Sequence, residues 1–319
     1  MTTYFITGGF GFLGQHIVKA LHDHDPNAEL RILGRTQRST FLGIENLENL
    51  RWVQGDLSKL ETFEAELRDV DVIVHNAAMV SFRKSDADAI YESNVVGTRN
   101  LAQAALKAGC KNFIFISSIS AVGREKGKIS DESMYPDLEY KRQHKMYGYS
   151  KMVSEAELIE MKEQTRIIIL NPSVVLGPGS ERIDTIFKVM RSLPIFPMLS
   201  YVNSFVDARD VAQSVVLALT KGRSGERYLV TAHNVNMIDF MKTVVKKMGK
   251  KTRVIQISNF WIKVFDRIVY FMQKLNLKTG IRPPSEMVAD KAFSWEKIKD
   301  EMGWEPKYSL EESVKDTTV

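Results

Sequence analysis

Three short stretches of this chain are apolar at every position: Val72-Ile73-Val74, Phe113-Ile114-Phe115-Ile116 and Ile167-Ile168-Ile169-Leu170. A strand with one wet face alternates apolar and polar residues, so these segments need cover on both faces, as in a parallel sheet packed between helices. With the β-rich runs nearby, strands are predicted over residues 4–7, 29–33, 50–54, 70–75, 112–117 and 166–170. Amphipathic helical patterns fall between them at 13–22, 60–67, 87–108 and 148–162. Strand–helix alternation at these lengths implies right-handed βαβ units and a doubly wound parallel sheet, an α/β fold. After about Pro172 the rhythm becomes irregular, with prolines at 172, 178, 194, 197, 283, 284 and 306. The chain therefore divides into residues 1–171, the sheet with its cofactor and catalytic groups, and residues 172–319. The second part is mainly a smaller, mostly helical substrate lobe, with some segments returning to the sheet.

Composition narrows the class. At 44% hydrophobic and 26% charged the chain has the balance of a globular protein rather than a disordered one. One cysteine cannot form an internal disulfide, and with six histidines it leaves little for a metal site, so none is expected. A net charge of +5 over 319 residues is a weak basic excess. No nucleic-acid recognition motif accompanies it, so nucleic acid is not an expected partner. The opening Met1-Thr2-Thr3 passes directly into an apolar strand with no basic leader, and no apolar run reaches the length of a membrane span. A reduced, cytoplasmic, soluble protein without a transmembrane segment is the expectation.

Directly after the first strand stands Thr7-Gly8-Gly9-Phe10-Gly11-Phe12-Leu13-Gly14. Glycines at 8, 11 and 14 let the backbone turn tightly, approach a pyrophosphate and pack the next helix on the strand. The helix N-terminus then offers free amides and a positive dipole end to the phosphates, which makes the sheet Rossmann-type. The second strand ends Gly34-Arg35, with Arg38 beyond, where an acid would otherwise bind the ribose hydroxyls of NAD. A guanidinium there suits the 2′-phosphate, so NADP(H) is favoured over NAD(H). Asp56 at the end of the third strand reads either as an acceptor for the adenine amino group or as the N-cap of the following segment. Asn76-Ala77-Ala78 after the fourth strand are small enough to let a ligand come close to the backbone. His75, in an apolar run, reads as a satisfied core histidine.

The fifth strand ends in Ser117-Ser118, and some thirty residues later comes Tyr147-Gly148-Tyr149-Ser150-Lys151. Residues four apart share a helix face, so Tyr147 and Lys151 can point into one cleft, whereas Tyr149 cannot join them. A phenol with a reference pKa of about 10 is a poor base at neutral pH. A nearby ammonium would favour the phenolate and bring it into range. A serine hydroxyl across the cleft can hold the substrate oxygen. The three groups together can exchange a proton with a carbinol or carbonyl oxygen while a nicotinamide exchanges hydride.

In this combination the sequence resembles the extended short-chain dehydrogenase/reductase family, within the NAD-dependent epimerase/dehydratase superfamily. The likeness rests on Gly8-x-x-Gly11-x-x-Gly14, Gly55-Asp56-Leu57, Asn76-Ala77-Ala78, Asn94-Val95-Val96-Gly97-Thr98, Ser117-Ser118 and Tyr147-x-x-x-Lys151. It continues through Asn171-Pro172 and Phe205-Val206-Asp207-x-x-Asp210-Val211-Ala212. The resemblance implies Tyr147 as catalytic acid/base, Lys151 as its pKa modifier and a ligand of the nicotinamide ribose, and Ser118 rather than Ser117 as catalytic serine. It also places Phe12, Leu13, Asp56, Leu57, Ala77, Asn94 and Pro172 around the cofactor.

The finer texture looks like the 3β-hydroxysteroid dehydrogenase and dihydroflavonol reductase-like branch, through Phe12-Leu13-Gly14-Gln15, Ser117–Ser120 with Gly123, and Tyr147–Lys151. Sugar dehydratases carry a Thr-Asp-Glu-like group where Ser118-Ile119-Ser120 stands, and sugar epimerases often show Arg-Pro-Gly-Asp where this chain has Arg282-Pro283-Pro284-Ser285. Gly34-Arg35 departs from the acid that the steroid enzymes keep, which brings the coenzyme end closer to the flavonol reductases. The expected activity is interconversion of a ketone and a secondary alcohol on a mainly apolar small molecule. The alternatives are a nucleotide-sugar epimerase with tightly bound NAD, or a catalytically silent cofactor sensor. The family often pairs through two helices, which makes a homodimer the default.

Late in the chain Phe260, Trp261, Val264, Phe265, Ile268, Val269 and Met272 recur at helical spacing, with Lys263, Asp266, Arg267 and Lys274 largely between them. The leading reading is a stripe packed on the lobe's core. A lid over an apolar pocket and an interfacial helix on a membrane are the others. Lys246, Lys247, Lys250 and Lys251 read as a solvated face. The polar loop over 124–146, between serine and tyrosine, is placed to line the substrate entrance.

Overall fold

The computed structural model describes the chain except for residues 37–39, 41, 82, 126, 140–144, 181–182, 185–186, 188–192, 250, 275–290 and 318–319. Arg38 and residues 282–285 therefore lie outside the described residues.

The first strands are β1 (Thr3–Thr7), β2 (Glu29–Gly34), β3 (Leu50–Gln54), β4 (Val72–His75), β5 (Asn112–Ile116) and β6 (Arg166–Pro172). They are followed by β7 (Val174–Leu176), β8 (Ile195–Met198), β9 (Val202–Asp207), β10 (Glu226–Val230), β11 (His233–Asn236) and β12 (Arg253–Gln256). Seven of them form one sheet in the order β10-β6-β5-β4-β1-β2-β3, every neighbouring pair parallel. The apolar runs explain themselves in this layer. Phe5, Ile73, Phe113, Phe115, Ile167 and Ile169 enter the cluster on one face, while Ile6, Val72, Val74, Ile114, Ile116, Ile168 and Leu170 enter the cluster on the other. Neither face is left to water, so no position can be polar without losing burial.

Helix α1 (Phe12–His24) covers the second face through Ile17, Val18 and Leu21. The predicted helix over 87–108 divides into α2 (Ala87–Tyr91), a π-helical turn (Glu92–Val96) and α3 (Gly97–Lys107), which covers the first face through Leu101, Ala102 and Ala105. Within the π-turn Asn94 is buried and bonded to the backbone of Met79, so the break coincides with a polar side chain committed inward. Residues 60–67 form two short 3₁₀ turns rather than a helix, anchored by the buried Phe63 and Leu67 with Glu61 and Glu64 exposed. Helix α4 (Met146–Ile159) packs on the π-turn and on the loop after β5.

Beyond β6 the chain adds α5 (Ala208–Lys221), α6 (Met237–Lys247), α7 (Asn259–Lys274), α8 (Glu296–Met302) and α9 (Leu310–Thr317). Helix outweighs strand there, yet two small sheets that the sequence reading had not placed also form, β11-β9-β7 and β12-β8. Helix α5 returns to the main sheet against α1, and β10 extends that sheet beyond β6. Asp207 caps α5 by accepting from the Arg209 amide at 2.9 Å and from Ser313 Oγ at 2.7 Å. Asp210 accepts from the amide of Lys307 at 2.9 Å. The Phe205–Ala212 motif thus ties the C-terminal segment down. Among the described side chains of α7 only Ile262 and Val269 are buried, and Phe260, Trp261, Phe265 and Ile268 of the stripe expected to pack on the lobe face outward. Among the described residues no helix is long and apolar enough to cross a membrane.

Candidate active site

The singled-out residues gather at the carboxyl ends of the central strands, where the order reverses between β1 and β4. In open parallel sheets this is where a crevice opens. Gly14 sits in the first turn of α1, and a Cβ there would lie 2.0 Å from the Gly8 carbonyl oxygen. Only hydrogen lets the helix start this close to the turn. No side chain caps α1 and no acid lies in its first turn, so its leading amides face outward beside a positive dipole end. Gly14→Ala is expected to push α1 off the turn at a cost of about 1–3 kcal/mol. Binding of NADPH, followed by fluorescence titration, should weaken roughly tenfold or more; an unchanged affinity would place the dinucleotide elsewhere.

The remaining candidate cofactor residues surround this turn unequally. Gly8 and Gly11 form it, with the Gly11 amide donating to Gly8 O at 3.0 Å. Phe12 and Leu13 are half-buried, the Phe12 ring packed edge-on against His16. Ala77 and Ala78 are half-buried after β4, and the Ala77 amide donates to Thr7 Oγ1 at 3.1 Å. Leu57 is half-buried, close to where a Cβ on Gly97 would lie. Asp56 accepts from the amide and hydroxyl of Ser58, at 3.0 and 2.9 Å, which makes it the cap of the following turn. Those bonds hold its carboxyl below the usual range, and the Arg35 guanidinium adds to the effect. Arg35 is exposed at the end of β2. Asn94 is spent internally: its amide nitrogen donates to Met79 O and Ser150 Oγ, and its oxygen accepts from the Met79 amide at 2.7 Å. It therefore shapes the loop after β4 rather than offering free donors. Pro172 is buried at the end of β6. Beside it Asn171 Oδ1 and Ser173 Oγ are buried without a hydrogen-bond partner among the described residues. The uncapped helix terminus and the exposed arginine fit an anionic ligand. His75 is fully buried between Thr7 Oγ1 at 2.6 Å and Thr98 Oγ1 at 2.8 Å, and burial pushes it down to about 3, as a neutral core residue should be.

Ser118, Tyr147 and Lys151 do come together. A Cβ on Gly148 would lie 2.6 Å from Ser120 O, so α4 presses directly on the turn that follows β5. That approach sets the Tyr147 phenol beside Ser118, near enough for the serine to act on its pKa. Ser118 Oγ also accepts from the Ser120 amide at 3.1 Å, which orients its lone pair and leaves its own hydrogen to donate. Burial raises the Tyr147 phenol above its ordinary value, against a smaller lowering by Ser118. The buried Lys151 Nζ donates to Ile116 O at 2.7 Å and lies 4.4 Å over the Phe115 ring. Burial brings it down from 10.5 to about 7, with Glu155 acting in the other direction.

Glu155 is the residue that the sequence reading missed. It follows Lys151 by one turn and is 3% exposed. It accepts from Ser117 Oγ and from Asn171 Nδ2 at 2.6 Å, and it pairs with Arg227 Nη1 at 3.4 Å. Burial pushes its carboxyl up, and the Ser117, Arg227 and Asn171 donors pull it back. Asn171 Nδ2 also donates to Ser118 O at 3.1 Å, so this buried cluster buttresses both Ser118 and Lys151 from behind. The spacing Tyr147, Lys151, Glu155 was the available signal, since residues at i, i+4 and i+8 share a face. Within the loop expected to line the entrance, Glu132 instead runs along β10, its carboxylate accepting from the Leu229 amide at 2.8 Å and its carbonyl from Arg227. A cavity of about 770 Å³ opens between that loop, β10 and α8, with more acids than bases in its lining. None of the candidate residues named above lines it, and acidic walls do not suit an anionic cofactor.

A parallel switch-point sheet, a glycine turn leading into an uncapped helix and a Ser–Tyr–Lys group define a nicotinamide-nucleotide enzyme of the doubly wound class. The chain belongs to the NAD dependent epimerase/dehydratase family, whose model matches residues 4–231. It is 33% identical over 258 residues to sterol demethylase protein B of Methylococcus capsulatus, covering 78% of this chain and 75% of that protein. It is 31% identical over 245 residues to a provisionally named dihydroflavonol 4-reductase of Synechocystis, covering 73% and 69%. The crystal structure of gox2253 superposes with a TM-score of 0.84 at 26% identity, covering 99% of this chain and 97% of that one. The family comprises NAD(P)-dependent reductases, epimerases and dehydratases acting on small molecules.

Proposed function

We propose that this protein is an NADP(H)-dependent oxidoreductase interconverting a ketone and a secondary alcohol on a mainly apolar small molecule. The observation that carries the reading is the close approach of Gly148 to the Ser118–Ser120 turn, which sets Tyr147 beside Ser118 with Lys151 one turn along the same helix. The names of the sterol and dihydroflavonol relatives support the apolar substrate class. Gly8, Gly11, Gly14 and the first turn of α1 would hold the pyrophosphate, Arg35 the 2′-phosphate, and the ends of β4 and β6 the nicotinamide half. The bound nicotinamide supplies or takes up the hydride.

Everything else is work for the chain's own groups. Ser118 donates a hydrogen bond to the substrate oxygen and fixes its position. Tyr147, held protonated by burial, passes its proton to that oxygen in reduction and takes it back in oxidation. Lys151, poised near 7, gains its proton readily beside an anionic ligand and then favours the phenolate that the transfer leaves behind. Residues 172–319 mainly form the lobe that closes over the substrate, with α5 and β10 given back to the sheet.

A panel of ketones and UDP-sugars, followed at the nicotinamide absorbance band, tests the reading. Consumption of NADPH with an apolar ketone is expected. Sugar epimerisation without net absorbance change would replace the reading with an epimerase, and silence toward both would leave a sensor. Arg35→Ala removes a charge-assisted contact of about 1.5–3 kcal/mol. NADPH affinity should therefore fall about ten- to a hundredfold while NADH affinity holds. Equal losses for both would remove the 2′-phosphate assignment.

A further inference from the structure

Helix α7 is amphipathic, yet among the described residues it rests on the lobe by one edge only. Ile262 and Val269, two turns apart, are buried, whereas Phe260, Trp261, Phe265, Ile268 and Phe271 are exposed, Phe260 by 67% and Phe271 by 62%. Exposed large apolar side chains are common singly; five on one helix are a surface that expects cover. Lys263 and Arg267, one turn apart and exposed, run along the border of that face. From Phe240 to Lys274 the sequence carries nine lysines and arginines against one acid, Asp266, more excess charge than the +5 of the whole chain.

We propose that α7 docks this protein on an anionic lipid surface, lying in the interface with its aromatic face in the acyl boundary and Lys263 and Arg267 at the headgroups. A second copy of the chain is the poorer occupant. An isologous contact through this face would bring the same basic border from both copies together, which costs rather than stabilises. An anionic headgroup layer complements it. The helix is also built to lie on a bilayer rather than cross it. Its 16 residues are interrupted by Lys263, Asp266 and Arg267, and at 1.5 Å per residue it falls short of the roughly 30 Å hydrocarbon core. Amphipathic helices with basic borders and Trp or Phe faces settle about 5–10 Å into that boundary.

The test is co-sedimentation of the full chain with vesicles of phosphatidylcholine alone and of phosphatidylcholine with one-third phosphatidylglycerol, at low ionic strength. Pelleting with the anionic vesicles is expected, accompanied by a blue shift in tryptophan emission that Trp261→Phe abolishes. Phe265→Glu with Ile268→Glu should release the protein. Lys263→Glu with Arg267→Glu should weaken partition about tenfold or more. Both pairs should keep the melting temperature and the turnover in solution, because the altered side chains are exposed. Failure to pellet with anionic vesicles, or pelleting that survives Phe265→Glu with Ile268→Glu, would overturn the proposal. A concentration-dependent dimer in light scattering that the same pair dissolves would hand the face to a second copy.

Discussion

Tyr147→Phe should lower ketone-dependent NADPH oxidation by about 10²–10⁴-fold, the usual contribution of a positioned acid. The substitution removes one oxygen and leaves the ring where it is. Ser118, its partner, is half-exposed and keeps its bond from the Ser120 amide, so no buried donor is stranded. Stability should change by no more than about 0.5–1.5 kcal/mol. The loss should fall on kcat rather than on KM or on NADPH affinity, because the hydroxyl acts on the oxygen as its bond order changes. A variant that kept wild-type kcat would show that the proton comes from another group.

Glu155→Gln has the second large effect, and it divides into two separable parts. The first is structural. Arg227 is 6% exposed and would lose its counter-charge, a change that costs about 3–5 kcal/mol when the partner stays buried. The second concerns Lys151. Burial holds it near 7, and the Glu155 charge is what opposes a further fall. Without that charge the ammonium is favoured less, so Lys151 loses its proton at a lower pH. The limb of the kcat/KM profile for NADPH that belongs to the free enzyme's lysine should move toward acid. A merely structural role would lower stability and leave that limb in place. Glu155→Gln with Arg227→Gln should recover part of the stability while the limb stays displaced, which separates the two effects even if the single variant is fragile.

Much of the nucleotide half was legible because its signals are local. β1, β4, β5 and β6 are buried on both faces, and their side chains say so one after another. Tyr147 and Lys151 were legible because helix geometry alone puts them on one face. What was missed depends on partners far along the chain. Glu155 looks like any helical glutamate until β10 brings Arg227 against it from 72 residues away. Asn94, which the family resemblance places around the cofactor, makes hydrogen bonds to Met79 and Ser150 that no local pattern announces. The small sheets of the lobe consist of strands of three to six residues, too short for a two-residue period to stand out. Where Lys151 turns was equally out of reach, since its Nζ donates to the Ile116 carbonyl that β5 supplies from 35 residues away.

The place of β10 at the margin of the main sheet has a bearing on how the protein is made. β6, with its run Ile167-Ile168-Ile169-Leu170, pairs with β5 on one side and with β10 on the other. Until Val230 has left the ribosome, that strand is the nascent sheet's free border, and its unpaired amides and carbonyls flank the most apolar sequence in the chain. Such a border recruits neighbouring chains. The same late segment also delivers Arg227 to Glu155, so the sheet gains its sealing strand and the site gains its buried counter-charge in a single step of synthesis.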